Sequence, residues 1–330
     1  MRRLSALFAL MLALAACGDA TGQDTASDAP TEDGAAETEE SATESATESA
    51  LEIVATTSIM GDLVSMVVQD DATVEVLLPI GADPHDFAPS AAQATTLRSA
   101  DLVVANGLNF EEGLVSLLEG AAEDGVVVFE ATDHVELIEF DDDHGDEDDH
   151  GDDHGDEDPH VWFDAARMAG VVEALGAELT TLDDSIDWEA RAAEASDELL
   201  ALDEEIREIL ADVPDGNRIL VVNHDVLGYF ADAYDFEVAA TVIPGGTTLS
   251  EPSAADLRDV IEIVSDTGVS AIFAETTAGA GLTDVVADEV GRDIEVVVLY
   301  TESLSDADGP AATYIDMMRT NATRIAEALG

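Results

Sequence analysis

The sequence predicts an α/β protein of two lobes, each a parallel sheet with helices on both faces. Three observations carry this. From Leu51 onward, short apolar runs alternate with helical-looking stretches, the pattern of β-α units that build parallel sheets. The alternation occurs as two separate sets. Between the sets, from Asp164 to about Asp212, lies a long helical region with almost no strand signal. A single large sheet would leave that interruption without a purpose.

In the first set the expected strands are Ile53–Thr56, Thr73–Leu78, Leu102–Ala105 and Val126–Phe129, with helices near 59–69, 90–99 and 111–121. The helical region has two parts. Ala165–Leu182 places Met168, Val171, Val172, Leu175 and Leu179 at helical spacing, and Trp188–Leu210 does the same with Leu199, Leu202, Ile206, Ile209 and Leu210. Val213-Pro214-Asp215-Gly216 then turns the chain. The second set comprises strands Ile219–Val222, Val238–Val242, Ala271–Ala274 and Glu295–Leu299, with helices near 226–234, 253–266, 281–291 and 311–328. The expected division is a first lobe over 51–163, a bridging helix over 164–182 and a second lobe over 183–330.

The segment ahead of the lobes is of a different kind. Two Arg precede an apolar run, Leu4–Ala16, which is too short to span a bilayer and fits the core of a signal peptide over 1–16. Leu14-Ala15-Ala16-Cys17 resembles a bacterial lipobox, so Cys17, the only cysteine, is expected to carry lipid. Residues 17–50 follow as an acidic linker. From Asp19 to Ala50 there are ten acids and neither a basic residue nor an aromatic, a composition unable to bury enough apolar surface to fold.

Overall the chain has 75 acidic residues against 11 basic ones, all Arg, for a formal charge of −64. Such a surface repels phosphate backbones and excludes nucleic-acid binding, while favouring cations. A single Cys excludes a disulfide framework and a cysteine zinc site. Apolar residues are 46% of the chain but aromatics only 5%, so aliphatic side chains must fill the cores.

Asp141–Asp158 holds twelve acids, three His and three Gly, with Asp-Asp-His-Gly-Asp three times over. It is expected to be a solvated loop of the first lobe in which nothing packs. Its His144, His150 and His154 form a candidate set of weak auxiliary metal ligands.

His85, His160 and His224 stand instead in sequence that should be ordered. His85 follows a strand in Gly81-Ala82-Asp83-Pro84-His85-Asp86-Phe87-Ala88-Pro89. His160 precedes the bridging helix in Asp158-Pro159-His160-Val161-Trp162-Phe163. His224 ends a strand in Val221-Val222-Asn223-His224-Asp225. Ends of parallel strands are where such folds place ligands, and imidazole is the commonest ligand of Zn²⁺ and suits other first-row cations. Pro84 and Pro159 stiffen the backbone beside two of them.

From Leu51 to its end the chain resembles the zinc/manganese solute-binding lipoproteins of bacterial ABC importers. The matching segments are Gly81–Pro89, Pro159–Phe163, His224–Phe230, Glu251-Pro252-Ser253, Ile272-Phe273-Ala274-Glu275, Leu299–Leu304 and the helix Thr313–Asn321. The resemblance implies two Rossmann-like lobes joined by one long helix, with a metal in the cleft. It places the first three ligands on His85, His160 and His224. The fourth falls on Glu302 in Leu299-Tyr300-Thr301-Glu302, where the family usually has Asp. Glu275 is expected to orient a ligand histidine. Zinc-type members often carry a His- and Asp-rich insertion before the second ligand, which the 141–158 loop matches. The resemblance further implies a monomeric, extracytoplasmic, lipid-anchored receptor that is not an enzyme, with an ABC permease and its ATPase as partners. Some relatives are described as adhesins.

Three His and one carboxylate suit Zn²⁺ better than Mn²⁺, so Zn²⁺ is the expected cargo and Mn²⁺ the alternative. A secreted zinc hydrolase is the competing class. It is disfavoured because four protein ligands close the shell that a catalytic zinc keeps open. The sequence also lacks His-Glu-x-x-His and Gly-x-Ser-x-Gly.

Overall fold

Residues 50–140, 157–277, 281–291 and 293–330 are described by the structure, a computed structural model. The expected signal peptide over 1–16, Cys17, nearly all of the 17–50 linker, and His144, His150 and His154 lie outside the described residues.

The first sheet consists of β1 (Glu52–Ala55), β2 (Thr73–Val76), β3 (Leu102–Ala105) and β4 (Val127–Glu130), all parallel, in the order β2-β1-β3-β4. Helices α1 (Ser58–Val68), α2 (Ala91–Ser99) and α3 (Val115–Glu123) connect them. Two helices follow without a strand, α4 (Ala165–Leu182) and α5 (Trp188–Leu210). The second sheet repeats the plan: β5 (Ile219–Val222), β6 (Glu237–Thr241), β7 (Ala271–Glu275) and β8 (Glu295–Leu299), parallel, in the order β6-β5-β7-β8. Helices α6 (Gly228–Tyr234), α7 (Ala254–Thr267) and α8 (Gly281–Glu289) connect these, and α9 (Tyr314–Leu329) closes the chain. In each sheet the first strand lies inside, so connections leave it in both directions and open a crevice at the strand C-termini.

Successive strand residues point to opposite faces, and the cores divide accordingly. Ile53 and Ala55, Leu102 and Val104, Leu220 and Val222, and Ala271 and Phe273 all join one continuous core with α1, α4, α5 and α9. The residues between them face the opposite side of each sheet. Val54 and Val103 pack under α2 and α3, whereas Val221 and Ile272 pack under α7 and α8. Each fully buried Val, Leu or Ile contributes roughly 1.5–3 kcal/mol, so the shared core ties both sheets to the helical layer.

Local chemistry explains most of the helix starts. Ser90 and Gln93 form a capping box at α2, and Ser253 and Asp256 do so at α7. Asp164 caps α4 by accepting the Ala166 and Arg167 N–H groups. The helix expected over 111–121 instead begins as a 3₁₀ turn, Glu112–Leu114. Glu111 just before it is buried, its carboxylate accepting the Asn106 N–H and the Thr56 hydroxyl. β2 ends at Val76 rather than Leu78, although the Leu77 and Leu78 N–H groups still reach the Ala55 and Thr56 carbonyls.

Helix α5 touches elements on both sides of the helical region. Near its start, the Arg191 guanidinium donates to the Val68 carbonyl at 3.1 Å and pairs with Asp71. Further along, Glu205 pairs with Arg319 of α9 at 2.7 Å. The start of α9 also reaches across, with the Tyr314 N–H on Asp62 at 2.7 Å and its hydroxyl on the Trp162 carbonyl at 2.7 Å. No helix among the described residues is long and apolar enough to cross a membrane.

Candidate metal centre

Every functional side chain predicted in ordered sequence sits at or beyond the C-terminal end of a parallel strand. His85 lies in the connection from β2 to α2, His160 in the connection from β4 to α4, and His224 two residues after β5. Glu302 lies three residues after β8, and Glu275 is the last residue of β7. The two sheets bring these ends together. One ligand atom from each of His85, His160, His224 and Glu302 lies within 4.8 Å of the others, and all four residues are buried.

The atoms that face one another have nothing to bond. Nε2 of His85, of His160 and of His224, and Oε1 of Glu302, lack hydrogen-bond partners among the described residues. Nε2 of His85 stands 3.0 Å from Glu302 Oε1 and Nε2 of His224 stands 3.4 Å from it, close but misdirected for hydrogen bonds. Four orphaned buried polar atoms around one point would each cost about 1–3 kcal/mol. A cation among them removes that cost.

The other ring nitrogens are all occupied. Nδ1 of His85 lies 3.2 Å from Glu112 Oε1, Nδ1 of His160 lies 2.7 Å from Asp158 Oδ1, and Nδ1 of His224 lies 2.6 Å from Glu275 Oε1. A carboxylate accepts only, so each Nδ1 carries a proton and each ring, when neutral, turns an Nε2 lone pair inward. Carboxylates behind imidazoles fix the tautomer and raise the basicity of a metal ligand. Glu302 is held similarly: its Oε2 accepts the Thr277 hydroxyl at 3.0 Å, leaving Oε1 free. Phe110 and Trp162 wall the cluster, with ring centroids 5.7 and 5.3 Å from that of His160.

The charges follow from this packing. Burial, reinforced by the two neighbouring imidazoles, holds His160 below the ordinary histidine pKa although Asp158 opposes it. Burial also works against the charged form of His224, but Glu275 and Glu302 outweigh it and raise its pKa well above the usual value. His85 is raised for the same reason, burial being outweighed chiefly by Glu302. Burial would raise the Glu302 pKa, yet His224 and His85 overcome it and hold the carboxyl well below the usual range. Without a metal, His85 and His224 are therefore the rings that take up a further proton more readily than an ordinary histidine, facing a Glu302 held ionised, whereas His160 takes one up less readily.

One expectation is corrected. Asp158 does not belong to a solvated loop in which nothing packs: it is buried, and its Oδ1 accepts both the N–H and the Nδ1–H of His160. The reason is the pair of donors that compensates its desolvation. Its Oδ2 lies where a Cβ on Gly228 would be, 2.5 Å away, so only glycine fits at the start of α6. The Tyr229 hydroxyl donates to the Asp158 carbonyl at 3.0 Å. Glu157 is likewise tied by a bridge to Glu139.

Glu112, Thr277 and Thr301 carry no mark in the sequence as parts of this site, whereas Asp158 carries one. Asp-Pro-His occurs twice, and both copies fold alike, with Asp83 Oδ1 accepting the His85 N–H at 2.9 Å as Asp158 Oδ1 accepts that of His160 at 2.9 Å. The Asp, not only the Pro, presents the histidine. Glu112 and Thr277 carry no comparable mark because their partners are 27 and 25 residues away in the chain.

Fold and site together define a two-lobed α/β binding protein with a buried cluster of metal-ligand type. Residues 53–328 match the family described as zinc-uptake complex component A, periplasmic, and the chain belongs to that family. The manganese-binding lipoprotein MntA of Halalkalibacterium halodurans is 28% identical over 82% of this chain and 86% of its own length. The zinc-binding protein TroA of Treponema pallidum is 29% identical over 84% of this chain and 88% of its own. The solved TroA structure superposes with a TM-score of 0.75 at 25% identity, covering 86% of this chain and all of that one. A manganese-bound periplasmic metal-binding protein from Candidatus Liberibacter asiaticus gives 0.71 at 26% identity, covering 85% and 100%. The chain is thus a metal-binding receptor of the ABC-importer type and not an enzyme.

Proposed function

We propose that this receptor captures Zn²⁺ outside the cytoplasm and delivers it to an ABC permease driven by its ATPase. His85, His160, His224 and Glu302 are the ligands, and the protein works as a monomer held to the membrane by lipid on Cys17. The observation that carries this is the set of four buried, unpartnered ligand atoms facing one another. Three neutral imidazole nitrogens and one carboxylate oxygen make a four-coordinate shell of the kind Zn²⁺ takes, with bonds of about 2.0–2.2 Å. The Thr277 hydroxyl on Oε2 favours Glu302 as a one-oxygen ligand. Mn²⁺ prefers more oxygen donors and binds such a set more weakly than Zn²⁺.

In this reading residues 51–163 and 183–330 form the two lobes, and helix 164–182 is the rigid bridge. Zn²⁺ displaces any proton held at Nε2 of His85 or His224 as it binds. The strongly negative surface raises the local concentration of cations. His144, His150 and His154, which precede His160 in the sequence, add weak auxiliary ligands.

A second reading has Mn²⁺ as the cargo. It is favoured by the similarity to MntA and to the manganese-bound structure. Titration of metal-stripped protein with each ion against a competing chelator separates the two. Tight 1:1 Zn²⁺ binding, lost in each of His85→Ala, His160→Ala and His224→Ala, is the expected result. Any one of these variants binding as tightly as the parent removes that residue from the ligand set.

A further inference from the structure

We infer that Thr247 and Thr248 form a latch that holds His85 in place and thereby sets the rate at which the ion leaves. This rests on the reading of the four side chains as a metal site. His85 is presented by two carboxylates. Asp83 Oδ1 accepts its backbone N–H at 2.9 Å, and Glu112 Oε1 accepts its ring Nδ1–H at 3.2 Å. Each of those carboxylates takes one further hydrogen bond, and both come from consecutive residues of the other half of the molecule. The Thr247 hydroxyl donates to Glu112 Oε1 at 2.8 Å, and the Thr248 hydroxyl donates to Asp83 Oδ2 at 2.6 Å.

The segment that carries them, residues 244–250 between β6 and α7, is anchored beside His224. The Asp225 N–H, next to His224, donates to the Gly245 carbonyl at 3.3 Å. Gly246 lies against the tip of the Phe140 ring, where a Cβ would stand 2.2 Å from Cζ. One short loop therefore connects the surroundings of His224 to both groups that orient His85.

The position of His85 gives the latch its consequence. A cavity of about 920 Å³ lies beside the site, and His85 lines it, whereas His160, His224 and Glu302 do not. Glu112, Phe140, Gly246 and Thr247 line the same cavity. An ion leaving this way passes His85, and a His85 gripped by both carboxylates stays on the ion. When the loop lifts, both carboxylates lose their second donor together and His85 gains freedom to swing.

The test is the rate of Zn²⁺ loss from loaded protein mixed with an excess of chelating dye. Thr247→Val and Thr248→Val together are expected to speed release about tenfold, the effect of about one net hydrogen bond. Each single change should give part of it. The association rate, the 1:1 stoichiometry and the thermal midpoint of the metal-free protein should stay at parental values. Thr247→Ser with Thr248→Ser keeps both hydroxyls and should release at the parental rate, which a purely steric role for the loop would not produce. A valine pair releasing at the parental rate overturns the latch, as does a serine pair as fast as the valine pair. His160→Ala, measured alongside, isolates the underlying reading: if it holds Zn²⁺ as tightly as the parent, the ligand set itself falls.

Discussion

Glu275→Gln probes how much of the metal affinity resides behind the ligands. Glu275 Oε1 accepts the ring Nδ1–H of His224 at 2.6 Å and its backbone N–H at 3.2 Å, while Oε2 accepts the Thr301 hydroxyl at 3.0 Å. Gln keeps the shape and can still offer a carbonyl oxygen to Nδ1–H, so the principal loss is the negative charge. Such losses typically weaken metal binding 10–100-fold, or about 1.4–2.7 kcal/mol. Glu275→Ala goes further, orphaning two buried donors of His224 at about 1–3 kcal/mol each, and should lower thermal stability as well. The effect depends on pH with a definite sign. In the metal-free protein the His224 pKa is raised because Glu275 and Glu302 outweigh burial. Between the ordinary value near 6.5 and that raised value, Zn²⁺ must displace a proton. Gln weakens that proton's hold, so the deficit of the variant should be largest at alkaline pH and shrink as pH falls. Chelator-competition titrations across pH measure this directly. Glu275→Gln binding within about twofold of the parent at alkaline pH would refute the argument that the carboxylate tunes the ligand.

Other predictions follow from the same geometry. Raised pKa values on His85 and His224 mean that protons stabilise the metal-free fold at acid pH, an advantage lost as pH rises through the folded-state values. The rise in thermal midpoint on adding Zn²⁺ should accordingly grow from about pH 6 to about pH 8, seen by calorimetry and reversed by chelator. Gly228→Ala places a Cβ 2.5 Å from Asp158 Oδ2 and should cost about 1–3 kcal/mol, with weaker Zn²⁺ binding as His160 loses its support. Deleting 141–156, while keeping Glu157 and Asp158, should remove weak additional metal sites and slow Zn²⁺ capture at low salt while leaving the tight site intact. Loss of tight binding on that deletion would place one of His144, His150 or His154 among the ligands.

Much of the architecture was legible because it is local. Alternation of Val-rich runs with helical spacing located the eight strands among the described residues and, apart from the 3₁₀ start before α3, the helices to within a few residues. Ser90, Asp164 and Ser253 mark helix starts through hydrogen bonds only two or three residues long. His85, His160 and His224 stood out by their position after strands, and Asp-Pro-His encodes its own turn.

The tertiary structure alone decided what surrounds them. Nothing in the sequence distinguishes Glu112 from the other acids of so negative a chain, yet the turn after β3 sets it against the His85 ring. Asp158 reads as the tail of an acidic run until Gly228 and Tyr229, 70 and 71 residues later, enclose it. Thr277 determines which oxygen of Glu302 is free only because β7 and β8 are neighbours in the sheet. Strand order is not written in any window of the chain. It results from which apolar faces can be buried together, so the sequence by itself determined the elements and the ligand types. The packing within each lobe determined that Glu112 stands behind His85 and Glu275 behind His224, and the meeting of strand ends from the two sheets brought the four inward atoms together.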